Sequence, residues 1–144
     1  MRRPAGDRGS AALFVAIFAP AMLFLAGLVI DGGAAIEARQ RASDIAEQAA
    51  RAGAGQCDVA VLRSRGVCRI TSQAAAQDAA APFLADNGVT GSSVVRTRPD
   101  GFNQFQGVQV DVTITFRTTL LGIVPKYKTL TISETAEAVA VTGL

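Results

Sequence analysis

The hydrophobic pattern of this chain opens on one long apolar run at residues 11–30, AALFVAIFAPAMLFLAGLVI, which contains no charged residue. An α-helix rises about 1.5 Å per residue, so the run spans roughly 30 Å, the thickness of the hydrocarbon core of a bilayer. Pro20 removes one backbone donor, which a membrane helix tolerates as a bend. The buried helix of a soluble protein normally keeps a polar face, and this run has none. The pattern therefore predicts a transmembrane helix that ends at Asp31.

The charges beside the run indicate its orientation. Arginines precede it, whereas acids follow it and the next basic residue is Arg39. By the positive-inside rule we expect a basic cytoplasmic tail at residues 1–10, a membrane helix at 11–30 and an extracytoplasmic domain at 31–144 of a single-pass protein in the plasma or inner membrane. A cleaved secretory signal is the alternative. The retained anchor is favoured because the run exceeds the usual length of about 7–15 residues and no clear A-x-A site follows it.

Helical spacing resumes at residues 34–54. Small side chains recur there at three- and four-residue intervals on one narrow stripe: Ala35, Ala38, Ala42, Ile45, Ala49 and Ala52. The pairs Glu37–Arg41 and Glu47–Arg51 lie on the other faces at i,i+4 spacing. The stripe allows close backbone approach. We expect it to pack on the chain's own sheet; the alternative is a partner helix, with Ala35, Ala38 and Ala42 as possible contacts.

The remaining pattern predicts one more helix and then strands. A helix is expected at 72–86, capped by Thr71 or Ser72, after a loop at 56–69. Strands are expected at 93–98, at 108–117, where apolar and polar residues alternate, and at 129–141, where a shift of the apolar phase predicts a bulge near Glu134. Because the helices precede the strands, the fold class is α+β with a small antiparallel sheet.

An apolar stretch at residues 120–124 lies between the last two predicted strands, where connections are usually polar. Gly122 and Pro125 prevent it from forming a long strand. It either folds into the core or forms an exposed docking patch for a partner or for lipid. In the second case Leu121 and Ile123 are the candidate contact residues.

The chain has two cysteines, Cys57 and Cys68, and no histidine. Two thiols without histidine cannot complete a structural zinc site, and a Ser–His or Cys–His nucleophile pair is impossible. On the outer side of a membrane a disulfide is favoured, worth about 2–3 kcal/mol; two unpaired buried cysteines are the alternative. The net charge of +2 is spread along the chain. We therefore predict no enzyme activity, catalytic residue, cofactor, metal, small-molecule substrate or nucleic-acid partner.

Short motifs follow one another along the chain: DRGS at 7–10, DGG at 31–33, ARQRA at 38–42, AARAGA at 49–54, AAQ at 75–77, NGVTG at 87–91 and LLG at 120–122. Their order resembles that of the TadE/TadG-like proteins of tight-adherence (Flp) pilus systems. The resemblance implies a pilin-like, membrane-anchored component of pilus assembly or secretion that packs against other membrane proteins of the system. A membrane-tethered extracytoplasmic binding domain unrelated to pili is the alternative.

The resemblance also bears on processing of the N-terminus. In such systems prepilin cleavage follows a glycine, and a glutamate usually stands five residues further on. Here the fifth residue after Gly9 is Phe14. This departure favours an assembly factor that stays in the membrane over a subunit of the filament.

Overall fold

The computed structural model describes residues 8–89, 95–99 and 106–140. Within these residues three helices come first: α1 (Arg8–Ala54), α2 (Val59–Arg65) and α3 (Gln73–Asp86). Three strands follow: β1 (Val95–Pro99), β2 (Gln106–Arg117) and β3 (Thr129–Val139). Two 3₁₀ turns, Leu121–Ile123 and Pro125–Tyr127, connect β2 to β3. The α+β class predicted from the sequence is confirmed.

The chain divides into two compact units. The first comprises Met1–Ala35 and Arg117–Leu130, and the second comprises Ile36–Phe116 and Thr131–Leu144. Helix α1 contributes residues to both units and is continuous through Gly32 and Gly33. The predicted division into tail, membrane span and outer domain stays a prediction, because compactness groups the residues by contact and carries no information about a membrane.

The three strands form one sheet in the order β1-β2-β3. Strand β1 pairs antiparallel with β2, with Val95 opposite Val110. Hydroxyl groups on β2 and β3 meet across the strands, Thr113 with Ser133 at 3.0 Å and Thr115 with Thr131 at 3.4 Å. As one residue number rises the other falls, so β2 and β3 are also antiparallel. The first two residues of the strand predicted at 93–98 lie outside the described residues.

The core of the second unit forms where the small side chains of α1 meet α3 and the sheet. Its buried residues are Ala42, Ile45, Ala46, Ala49, Ala50, Ala54, Cys68, Ile70, Ala76, Ala80, Leu84, Val108, Val110, Val112 and Ala140. The approach is close at Gly53, where an added Cβ would lie 3.0 Å from Val108 Cγ1 and 3.1 Å from the carbonyl oxygen of Ala76. The alanine stripe therefore packs within the chain itself, and it is wider than predicted because Ala46 and Ala50 are also fully buried.

Local capping explains where the shorter helices begin and end. Ser72 Oγ accepts the backbone N–H of Ala75 at 3.1 Å, which starts α3 at the predicted position. Helix α2 lies in the segment that was predicted to be a loop, and that prediction was wrong. Asp58 caps it by accepting the N–H groups of Ala60 and Val61, and Gly66 ends it at a φ of 67°.

The bulge predicted near Glu134 is not formed. Exposure alternates without a break along β3, from Thr129 to Val139. Ala136 and Ala138 continue the half-buried face, and Val139 is exposed. The prediction was wrong because it assigned the inward face to the larger Val139, whereas the core accepts the two alanines.

Candidate functional site

The apolar part of α1 is almost wholly exposed. Between residues 9 and 33 only Gly27 and Asp31 are buried. Among the described residues, α1 is the one helix long and apolar enough to cross a membrane, judged by length and composition. Gly27 and Asp31 are four residues apart and so share one face of the helix. That face is covered by the β2–β3 connection, residues 118–128, which we call the exit turn.

Asp31 holds the start of the exit turn by three backbone hydrogen bonds. Its Oδ1 accepts the N–H of Thr119 at 2.6 Å. Its Oδ2 accepts the N–H of Leu120 at 2.9 Å and that of Leu121 at 2.7 Å. Asp31 as a whole residue is 4 % exposed. A single buried side chain therefore binds three consecutive amides of a segment that lies 88 to 90 residues further along the chain.

The chemistry of this contact follows from the geometry of a helical turn. The first N–H groups of a turn have no internal carbonyl partner and together present positive potential, which suits an anion. The hydrogen bond from the Leu121 N–H is the largest influence on the pKa of Asp31 and lowers it. Burial raises this pKa, and the bonds from Thr119 and Leu120 lower it, so that the net pKa lies below the ordinary value. Asp31 is therefore the charged partner of the turn.

The exit turn is also closed on itself. The N–H of Thr118 donates to the carbonyl oxygen of Lys128 at 3.1 Å. The buried hydroxyl of Thr118 donates to the carbonyl oxygen of Tyr127. Further backbone bonds join Ile123 to Leu120 at 3.1 Å and Tyr127 to Val124 at 2.9 Å. The segment is thus an ordered structure with a defined inner and outer side.

Gly27 provides the second attachment. A Cβ at this position would lie 2.6 Å from Cδ2, 2.7 Å from Cβ and 2.8 Å from Cδ1 of Leu120. Since one of these atoms is the Leu120 Cβ, rotation of the leucine side chain alone cannot relieve the overlap. Only glycine lets the exit turn approach the helix this closely.

We expect Gly27→Ala to loosen the exit turn, although alanine favours a helix over glycine by about 1 kcal/mol. The added methyl group overlaps Leu120, and overpacking of this kind costs about 1–3 kcal/mol. The measurement is the rate of tryptic cleavage after Lys126 and Lys128. We expect it to rise about fivefold, the factor that corresponds to a net loss of about 1 kcal/mol.

Gly33→Ala is the matched control, because a Cβ at Gly33 meets nothing within 4 Å. It should leave the cleavage rate unchanged. Adding Leu120→Ala to Gly27→Ala should slow cleavage only in part, because it removes Cδ1 and Cδ2 but keeps the Cβ that would lie 2.7 Å from the added methyl group. Equal cleavage of the Gly27→Ala and Gly33→Ala variants would contradict the contact.

The outer side of the exit turn is apolar and basic. Ile123 is 73 % exposed, and Val124 and Tyr127 are also exposed. Lys126 is exposed as well, with its Nζ 5.8 Å from the centre of the Tyr127 ring. Of the two candidate contact residues in this stretch, Leu121 is half-buried and Ile123 points outward.

The candidate contacts on the alanine stripe are less exposed than the outer side of the exit turn. Ala35 is half-buried, Ala38 is 8 % exposed and Ala42 has no exposed surface. In this conformation Ala42 is part of the chain's own core. The role of these residues toward a partner stays a prediction.

Ion pairs tie the polar faces of α1. Glu47 and Arg51 form the predicted i,i+4 pair at 2.7 Å. Arg39 forms an ion pair with Glu134 on β3. Arg41 donates a hydrogen bond to the backbone carbonyl oxygen of Asn87 at 3.5 Å. Exposed pairs of this kind each contribute at most about 1 kcal/mol.

Cys57 and Cys68 lie at disulfide distance, with Cα atoms 5.1 Å apart and 11 residues of separation. They close the loop that contains α2. Cys57 and Ile70 also form an isolated antiparallel β-bridge. The N–H of Asp58 donates to the carbonyl oxygen of Arg69 at 2.7 Å, so backbone contacts hold the same two ends together. The sequence proposal of a pair is therefore compatible with the fold.

Sequence reasoning missed Gly27 and the binding role of Asp31. Asp31 was identified only as the end of the apolar run. The available signal was the spacing: a small residue one helical turn before an acid marks a face on which another backbone can approach. What the acid binds could not be read from the sequence, because its partners are backbone amides, which every residue other than proline carries.

In the described parts of the chain no group of three or more His, Cys, Asp or Glu side chains is arranged to hold a metal ion. No curated protein matches the chain. No solved structure matches it either. Residues 9–56 match the Tad family model, described as "Putative Flp pilus-assembly TadE/G-like".

The match covers about one third of the chain: it contains nearly all of α1 and stops directly before Cys57. This description names a role in pilus assembly. The resemblance read from the sequence motifs is thus confirmed for the segment that carries the apolar run, Asp31 and the alanine stripe, and residues 9–56 are similar to the TadE/G-like Flp pilus-assembly family.

Proposed function

We propose that this chain is a membrane-anchored, pilin-like component of Flp pilus assembly that works by packing against other membrane proteins of the system. The observation that carries the proposal is the division of α1. Its N-terminal half is apolar and exposed, its C-terminal half buries a stripe of alanines, and the family match spans both. A helix of this kind needs a second environment for its apolar half, and lipid together with neighbouring helices provides one.

The orientation proposed for the anchor places the N-terminus in the cytoplasm. Arginines precede the apolar run and acids follow it, which supports this direction. The cysteine pair supports it as well, because disulfides persist in oxidising compartments outside the cytoplasm. On this proposal the second unit, with its sheet and cysteine pair, contacts partner proteins outside the membrane.

The anchor is tested by placing charge in the middle of the apolar run. Leu23 and Phe24 are 71 % and 69 % exposed. Changing both to arginine makes insertion less favourable by about 6 kcal/mol or more on the translocon scale, which exceeds the gain from the whole run. We expect Leu23→Arg/Phe24→Arg to leave the membrane fraction when membranes are washed with alkaline carbonate.

Val59→Arg is the control, since Val59 is 56 % exposed on α2, outside the apolar run. It should stay in the membrane fraction like the parent chain. If the double arginine variant also stayed there with a folded second unit, the anchor would be refuted.

The pilus-related role is tested by deleting the gene in its own organism and counting Flp pili and surface adherence. We expect both to be lost, to return with the parent gene and not to return with Leu23→Arg/Phe24→Arg. Normal pili in the deletion strain would favour the alternative, a tethered binding domain unrelated to pili.

A further inference from the structure

We propose that the exit turn rests on the membrane, with Ile123, Val124 and Tyr127 contacting lipid at the boundary between hydrocarbon and headgroups and Lys126 and Lys128 contacting lipid phosphates. This inference rests on the proposed membrane anchoring and adds a second contact with the bilayer, made by a segment that lies far from the anchor in sequence. The occupant of the exposed apolar surface is the leaflet in which the apolar run ends.

The attachment of the exit turn to α1 sets its depth. Asp31, which binds three of its amides, directly follows the last apolar residue of the run, Ile30. Leu120 packs on Gly27, which lies three residues before Ile30, or about 4.5 Å along the helix axis. A turn held at these two points lies where the hydrocarbon ends. Its neighbours on α1, Leu28, Val29 and Ile30, are themselves more than half exposed.

The exposed side chains of the exit turn are those that favour this depth. Ile123 is 73 % exposed, Val124 48 % and Tyr127 42 %. Tyrosine is enriched at membrane interfaces because its ring is apolar and its hydroxyl is polar. Lysine places its apolar stem along lipid and its ammonium among the headgroups. The exposed side chains of the turn are thus of the kinds that suit the boundary between hydrocarbon and headgroups.

The charge of the segment favours lipid over a protein groove. Arg117–Leu130 contains Arg117, Lys126 and Lys128 and no acid. The nearest carboxylate that the structure brings to the turn, Asp31, is already bound by three amides. Each cation near an anionic bilayer strengthens attachment about fivefold. Within the described residues the cations of this segment form no ion pair. An apolar tip flanked by such cations matches a surface that presents hydrocarbon below phosphate.

The sequence contains no tryptophan, so a single introduced tryptophan can serve as a fluorescent probe of its own position. We would reconstitute the full chain as Ile123→Trp in phosphatidylcholine vesicles whose acyl chains carry bromine near the headgroup or near the bilayer centre. We expect blue-shifted emission and loss of intensity with shallow bromines, and a smaller loss with deep ones. Adding phosphatidylglycerol should increase the shallow quenching, and Lys126→Gln/Lys128→Gln should remove that increase.

Two further variants separate failure of this inference from failure of the anchor. Leu23→Trp, in the middle of the apolar run, should be quenched by deep bromines, and Val59→Trp, on α2, by neither. If Leu23→Trp is not quenched, the anchor itself is wrong and the inference falls with it. If Leu23→Trp is quenched but Ile123→Trp behaves like Val59→Trp, the anchor stands and lipid contact by the turn is overturned. Blue-shifted emission from Ile123→Trp that bromines do not quench would mean that protein, such as a second copy of the chain, covers the turn, which also overturns it.

Discussion

Replacing Asp31 with asparagine is expected to release the exit turn from α1 while leaving the second unit folded. The amide group keeps the size of the carboxylate but replaces one acceptor oxygen with a donor, so at least one of the amides of Thr119, Leu120 and Leu121 loses its partner. The charge that the start of the turn favours is lost as well. Hydrogen exchange at these three amides should accelerate by roughly tenfold or more, the behaviour of a locally opened segment.

Glu37→Gln is the matched control, because Glu37 is an exposed acid further along the same helix. It should leave exchange in the exit turn unchanged. Amides of β2 at Val110 and Val112, which lie in the core of the second unit, should exchange slowly in all three proteins. Unchanged protection of residues 119–121 in Asp31→Asn would show that the carboxylate does not hold the turn.

The same contact predicts a pH dependence. The pKa of Asp31 is lowered in the folded chain, with the bond from the Leu121 N–H as the main cause, so the turn binds the ionised form. The stabilisation is then fully present above the ordinary aspartate pKa of about 3.9 and is lost as the pH falls through the lower pKa of the folded state. The exit turn should stay protected from neutral pH down to about pH 4 and open below it. In Asp31→Asn the opening should no longer depend on pH in this range.

The second large effect is expected in the core of the second unit. Ala49 has no exposed surface and lies in the cluster formed by α1, α3 and the sheet. Ala49→Leu adds three carbons where a helix packs through small side chains. Such overpacking costs about 1–3 kcal/mol of the free energy of unfolding. For a unit of this size we expect the midpoint of thermal unfolding in detergent to fall by at least about 5 °C, measured by circular dichroism.

Gln48→Leu places the same leucine on the adjacent, exposed position of α1 and should alter the free energy of unfolding by no more than about 0.5 kcal/mol. A matching midpoint for the two variants would mean that the alanine face is not packed within the chain. That outcome would support the alternative in which the stripe packs against a partner helix.

Most of the fold could be predicted because its elements have strong local signals. The apolar run, the alternation along β2 and the Ser72 cap each lie within one segment of the chain, and each element formed where it was expected. Helix α2 had a readable signal, an aspartate cap at Asp58 and a glycine stop at Gly66, which was outweighed by the expectation of a loop between two cysteines. The bulge in β3 was predicted from side-chain size, whereas burial followed the two-residue alternation of the strand.

The candidate site could be predicted only in its parts. Hydropathy identifies residues 11–30, and composition identifies an apolar stretch at 120–124, because both are properties of neighbouring residues. The contact between these two segments depends on two interactions. Asp31 accepts hydrogen bonds from amides 88 to 90 residues away, and Gly27 leaves room for Leu120. Every residue other than proline carries a backbone N–H group, so the sequence does not show which amides a carboxylate binds. A glycine in an apolar helix likewise does not indicate which residue packs against it. The chain's periodicity therefore determines the apolar helix and the sheet, and only folding in three dimensions decides that the turn after β2 is held at the end of the apolar run.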